Sequence, residues 1–263
     1  MRPGSEACGN GESFSNPSIH EAVLEIYIAI CAIAFVAGFI QGLTGFGSVL
    51  LSLPLIALFL DFKTAVPFMT VCGIVLSLIL IIQLRSAWEW NKIYPLLIGA
   101  LPGIPIGTYM LKNLEAGPMY IFLGSVLIAY SLFGILFKGI VKELKKGWPY
   151  LIGFLAGCLG GSVAASGPPV IVYTFLQPWD KDKIKVTLQG FFVISGLFTL
   201  AYFVYHGLVG PQVLKLSGLA LPFIAAGTLA GSFFYGKLNE AGYRKLMYYT
   251  LAALGVMMFT QGF

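Results

Sequence analysis

Apolar residues arrive in long runs at 22–40, 64–84, 93–111, 119–137, 186–205, 213–235 and 243–263, and polar residues gather between them. A helix needs about 20 mainly apolar residues to cross the hydrocarbon of a bilayer, so these runs read as crossings. Three further runs, 49–60, 148–159 and 169–176, are too short for a straight crossing and flank two Gly-rich stretches, 41–48 and 160–167. The pattern predicts an all-α polytopic membrane protein with 8–10 transmembrane segments and broken or re-entrant helices beside the glycines. Residues 1–20 are polar, lack the apolar run of a signal peptide, and read as an extracytoplasmic tail.

Composition strengthens this reading. Hydrophobic residues make up 58% of the 263, charged ones only 10%, and the mean hydropathy is +0.87. A soluble domain of this size could not cover its surface with so few charges. The net charge of +5 does not indicate nucleic acid, because the basic residues sit in connectors. Arg85 and Lys92; Lys138, Lys142, Lys145 and Lys146; Lys181, Lys183 and Lys185; and Lys237, Arg244 and Lys245 fall in alternate connectors, as the positive-inside rule requires of cytoplasmic ones. Both termini are then extracytoplasmic in a multi-pass protein of the cell membrane. Cys31, Cys72 and Cys158 lie in apolar runs and Cys8 in the tail, without C-x-x-C spacing. Neither a disulfide framework nor a metal site is expected, and no cofactor.

The chain repeats itself. Gly38-Phe39-x-x-Gly42-x-x-Gly45 recurs as Gly153-Phe154-x-x-Gly157-x-x-Gly160, while Pro102 and Gly107-Thr108 recur as Pro222 and Gly227-Thr228. This divides the membrane domain into a repeat at 21–137, a basic cytoplasmic linker at 138–147, and a second repeat at 148–263. With five segments each, the halves insert in opposite orientations. Inverted repeats of this kind suit alternating access, with the site at their interface. The pairs Gly38/Gly42, Gly103/Gly107, Gly153/Gly157 and Gly227/Gly231 have the G-x-x-x-G spacing of close helix contact, and packing is their expected role.

The Gly-rich stretches carry the candidate chemistry. Irregular backbone at membrane depth persists only where protein buries it or a watery cavity faces it. A helix restarts after each stretch, with Ser48 as a candidate N-cap and Pro168 or Pro169 in the first turn. Helix N-termini attract anions, which matters because no charged residue falls clearly within an apolar run. The expected mechanism is electrogenic anion export, since the membrane potential supplies ~2.3 kcal/mol per charge per 100 mV. No catalytic constellation is present: His20 and His206 are far apart and the acids occupy connectors, which disfavours a membrane-embedded enzyme. A channel, or an importer of another small sulfur-containing or carboxylate anion, remains the alternative.

The sequence GFIQGLTGFGSVLLSLP, its echo GFLAGCLGGSVAASGPP, the stretch Ala65-Val66-Pro67-Phe68-Met69-Thr70, the connector Arg85-Ser86-Ala87-Trp88-Glu89-Trp90, and Gly99-x-x-x-Gly103-x-x-x-Gly107 together resemble the TauE/SafE family. The resemblance runs from about residue 22 to the end and implies export of sulfite, sulfoacetate or a related organosulfonate. It implies that Thr44, Ser48, Ser162 and Ser166 donate hydroxyl hydrogen bonds to the anion. Gly45, Gly47, Gly160, Gly161 and Gly167 would let backbone N–H groups approach it. Gln41 and Gln189 would complete the shell, and Phe46 would line or gate a narrowed pocket. The partners expected are a small anionic substrate and the lipid bilayer, with a homodimer allowed.

Overall fold

The computed structural model describes residues 17–84, 88–136, 147–235 and 240–263. Most of the polar tail, the basic linker through residue 146, Arg85 and Lys237 lie outside the described residues. The described chain forms α1 (Pro17–Thr44), α2 (Ser48–Ile56), α3 (Phe62–Leu84), α4 (Trp90–Asn113), α5 (Ala116–Leu136), α6 (Trp148–Val163), α7 (Gly167–Leu176), α8 (Lys181–Tyr205), α9 (Pro211–Phe233) and α10 (Glu240–Gln261). Helix is the form that satisfies every backbone group within one segment when no water is at hand. Six of these helices, α1, α3, α4, α5, α8 and α9, are long and apolar enough to cross a membrane. Large apolar side chains such as Ile82, Tyr109, Leu136 and Phe233 point outward, as lipid-facing residues do.

Both Gly-rich stretches are less broken than the sequence suggests. Helix α1 continues through Gln41 to Thr44, so only residues 45–47 leave it, and α6 keeps Gly160 and Gly161 helical and breaks only at 164–166. The reason for the second difference is packing: a Cβ on Gly161 would lie 2.5 Å from Ile104 O and one on Gly160 3.2 Å from Ser166 Cβ. Helices α2 and α7 have nine and ten residues, and at 1.5 Å per residue each spans about half of the hydrocarbon.

Close contacts at glycines fix the helix directions. Gly38 of α1 faces Ile224 and Thr228 of α9, and Gly42 faces Thr228 and Ser232. The numbers rise together, so α1 and α9 are parallel. Gly99, Gly103 and Gly107 of α4 meet Tyr150, Phe154 and Cys158 of α6 in the same sense. Helices α5 and α10 are antiparallel, with Gly117 against Gly262, Gly124 against Gly255 and Phe259, and Gly134 against Tyr248. Helices joined by short links, α4 to α5 and α9 to α10, double back. Taken together, α4 is antiparallel to α9 and therefore to α1, and α6, parallel to α4, runs opposite to α1. Corresponding helices of the two halves are inverted.

The principal packing partners repeat this symmetry. Helix α1 packs on α9, α4 on α6, α3 on α8, and α5 on α10, so exchanging the halves maps each pair onto another or onto itself. All eight glycines of the G-x-x-x-G pairs lie on the α1–α9 and α4–α6 seams. Small residues let the backbones touch there, which is what drives association when lipid is as apolar as the side chains.

Polar side chains sort to the two ends. At one, Glu89 pairs with Lys92 at 2.9 Å and Lys183 at 3.2 Å, and the Tyr235 hydroxyl donates to Asp182 at 2.9 Å. Hydrogen bonds from Lys92 and then Lys183 hold the Glu89 carboxyl below its ordinary range. At the other end, where α3 begins and α4 finishes, Lys63 Nζ donates to Lys112 O at 2.9 Å.

Candidate functional site

The α1–α2 break turns on Gly45 and Gly47, at φ 83° and 93°, a left-handed conformation in which a Cβ is strained. A buried break leaves carbonyls that need donors, and α8 supplies two. Gln189 Nε2 donates to Gly45 O at 2.5 Å, and Lys185 Nζ, one helical turn away, donates to Gly42 O at 2.9 Å. The Thr44 hydroxyl lies 2.7 Å from Ile40 O and 2.8 Å from Phe46 O. Gln41 Nε2 donates to Gln189 Oε1 at 3.0 Å and to Ser77 Oγ at 3.4 Å, while Ser48 Oγ donates to Gln41 Oε1. This network ties α1, α2, α3 and α8 together in an environment where an unpaired polar group is costly.

The second break turns on Ala164, at φ 52°. The N–H of Ala164 donates to Gly160 O at 3.1 Å and that of Ala165 to Leu159 O at 3.2 Å, closing α6 with a left-handed cap. Pro168 and Pro169 occupy the first turn of α7 as expected.

Between the two breaks lies a cavity of about 70 Å³, room for a solute of a few heavy atoms. Gln41, Gly47 and Ser48 line it from the first break, and Gly160, Ala164, Ala165, Ser166 and Gly167 from the second. Helices α3 and α8 add Thr70, Gly73, Ser77, Ser195, Gly196 and Thr199, and apolar residues such as Leu50, Ile104, Ile171 and Phe192 close the rest of the wall. Both inverted halves thus enclose one space, with hydroxyl-bearing residues from three helices and a loop.

Several expected roles change. Ser48 is not an N-cap; Gly47 holds that position without a side-chain bond, because the Ser48 hydroxyl is drawn to Gln41. Thr44 and Gly45 brace the turn rather than line the cavity, Gly45 lying against the Lys185 stem. Ser162 is buried and bonded to Cys158 O at 2.7 Å, and Gly161 sits on the α4 seam. The Phe46 ring does not narrow the cavity but packs edge-on against Phe175 of α7 at 5.5 Å. Gln189 reaches the site through Gln41. Cys158 is a free thiol whose backbone lies on the α4 seam, away from the cavity wall.

Two features escape the sequence reading. Thr70 and Ser77 are seven residues apart and Ser195 and Thr199 four apart, spacings that put each pair on one helix face; hydroxyls at that spacing beside Gly73 and Gly196 were the available signal. Lys185 is the larger omission. It is only 4% exposed, so the fold does contain a buried cation, contrary to the expectation from its place beside Lys181 and Lys183.

Replacing Gln189 by leucine removes the donor to Gly45 O and the acceptor of Gln41 Nε2 together. Gly45 O is then unsatisfied, at about 1–3 kcal/mol, Gln41 Nε2 keeps only Ser77 Oγ, and the melting temperature in detergent falls. An unchanged melting temperature would show that water replaces both bonds.

The profile of the family described as Sulfite exporter TauE/SafE matches residues 30–258. The chain is also 23% identical over 174 residues to the probable sulfite/organosulfonate exporter TauE of Cupriavidus necator, an alignment that covers 65% of this chain and 68% of that protein. No solved structure matches the chain. The family consists of membrane transporters, not enzymes, in keeping with the six apolar helices of crossing length. With the match spanning both halves and the cavity between them, the chain belongs to the TauE/SafE sulfite exporter family.

Proposed function

We propose that this protein exports a small anion, sulfite or a small organosulfonate such as sulfoacetate, across the cell membrane by alternating access of its two inverted halves. The observation that carries the proposal is the cavity at their interface, lined from both helix breaks and by hydroxyls of α3 and α8. Ser77 and Ser166 are the hydroxyls from which the anion takes hydrogen bonds, since Ser48 donates to Gln41 Oε1 and Thr70 to Val66 O, with Gly47, Gly160 and Gly167 keeping the wall bare of side chains. Gln41 orients Ser48, and Gln189 orients Gln41. Among the described residues no carboxylate lines the cavity to repel an anion, and the alternation of basic connectors favours cytoplasmic linkers with extracytoplasmic termini.

Movement is driven by the inside-negative potential, which favours anion efflux roughly fifty-fold per charge at 100 mV. Reconstituted protein should release sulfite or sulfoacetate saturably, faster when the potential is negative on the side holding the anion. Flux indifferent to an imposed potential would remove the electrogenic mechanism, and absence of flux for sulfite, sulfoacetate, isethionate, taurine and thiosulfate would remove the substrate class.

A further inference from the structure

We propose that Lys185 is the residue that first captures the anion from the cytoplasmic end and passes it to the cavity along the polar ladder Lys185, Gln189, Gln41. This rests on the export reading above and names the entry step of that site.

Among the described residues Lys185 is the one Lys, Arg, Asp or Glu side chain that is buried. A charge inside a membrane protein is costly unless something compensates it, and such residues mark ion pathways. The partners of Lys185 are neutral: Gly42 O at 2.9 Å and the face of the Tyr235 ring at 3.7 Å. No carboxylate among the described residues lies within ion-pair distance of its Nζ, and the acid nearest in sequence, Asp182, takes the Tyr235 hydroxyl instead. Asp182 acts on Lys185 only through space, so among the described residues no carboxylate meets the buried ammonium at contact. An anionic substrate supplies that contact.

Position completes the argument. Lys185 lies in the first turns of α8, at the end of the molecule where Glu89, Lys92 and Lys183 meet. Gln189 follows four residues later on the same face and is bonded to Gly45 O and Gln41, and Gln41 lines the cavity. Lys185 and Gln189 thus hold the carbonyls of Gly42 and Gly45 in turn, and Gln189 bonds Gln41 at the cavity wall. When Nζ exchanges the Gly42 carbonyl for a substrate oxygen, the last turn of α1 loses its donor. Capture and loosening of the α1–α2 break become one event.

The test uses the whole protein in oriented vesicles, with sulfite and the monoanion isethionate as probes. Lys185→Gln keeps a donor for Gly42 O but not the charge; Lys185→Arg keeps both. The expected result is a half-saturating concentration raised about tenfold for Lys185→Gln at the cytoplasmic face, reflecting loss of a charge-assisted bond. No substitution moves the equilibrium of the transported anion, so the ratio of maximal rate to half-saturating concentration falls equally in both directions, and Lys185→Arg, which keeps the charge, restores most of it. No loss, or a loss that Lys185→Arg does not reverse, overturns the proposal. A second measurement needs no variant: sulfite should slow amine acetylation of Lys185 in the wild-type protein relative to Lys215, and equal labelling with and without sulfite overturns capture. Wild-type vesicles that carry neither anion overturn the export reading itself, whereas wild-type flux with unaltered Lys185→Gln kinetics overturns capture alone.

Discussion

Gly153→Ala destabilises the protein by about 3 kcal/mol, as overpacking of a closed seam does, while Gly218→Ala leaves it unchanged or stabilises it slightly. The added methyl at Gly153 would sit 2.0 Å from Leu96 O and 2.8 Å from its carbon. Neither is the tip of a flexible side chain, so α4 and α6 must separate, and the contacts on both sides of the seam weaken with distance. Gly218, in the middle of α9, has nothing within 4 Å of an added Cβ, and alanine is the better helix former by about 1 kcal/mol. Thermal unfolding of the two purified variants in one detergent makes the comparison. Similar melting temperatures would mean that the α4–α6 seam does not bear the stability assigned to it.

Gly73→Leu should abolish transport without unfolding the protein. Gly73 lies on the α3 wall of the cavity, and a Cβ there meets only Val49 Cγ2, at 3.8 Å. The new side chain grows into space that the anion needs. Forcing a solute past such an obstruction costs about 2–3 kcal/mol, a loss of ~100-fold in occupancy. Flux of sulfite or sulfoacetate in proteoliposomes, read beside the melting curve, separates occlusion from misfolding. Undiminished flux would place the pathway elsewhere in the molecule.

The two variants differ in how readily the sequence announces them. Gly153 belongs to a duplicated G-x-x-x-G pattern, and helix packing is a local matter of which face is bare, so the seams were legible. The helices were too, because a run of apolar residues in lipid has little choice but to be helical. Gly73 carries no such pattern. Its role depends on which helix lies opposite, a fact of tertiary structure that α3 does not encode alone. The same is true of Thr70, Ser77, Ser195 and Thr199, whose hydroxyls bond within their own helices in many proteins whether or not a cavity adjoins them. Lys185 was misread for a related reason. In sequence it is the third lysine of a polar connector, and only the close approach of Gly42 and Gly45 on α1 encloses it. The ligand contacts that the family resemblance implies for Thr44, Ser162 and Phe46 fall on neighbours of the breaks, which are also the residues best placed to brace them.

The pairing of α1 with α9 and of α4 with α6 has a consequence for biosynthesis. When α5 leaves the ribosome, the bare glycine faces of α1 and α4 have no partner, since both partners belong to the half still to be made. Assembly must then wait for α6 to dock on α4 and, later, for α9 to reach α1. The nascent first half is an open structure that depends on the insertion machinery until synthesis is nearly complete. Cutting the gene between α5 and α6 should therefore yield two fragments that are degraded when made singly and accumulate when made together.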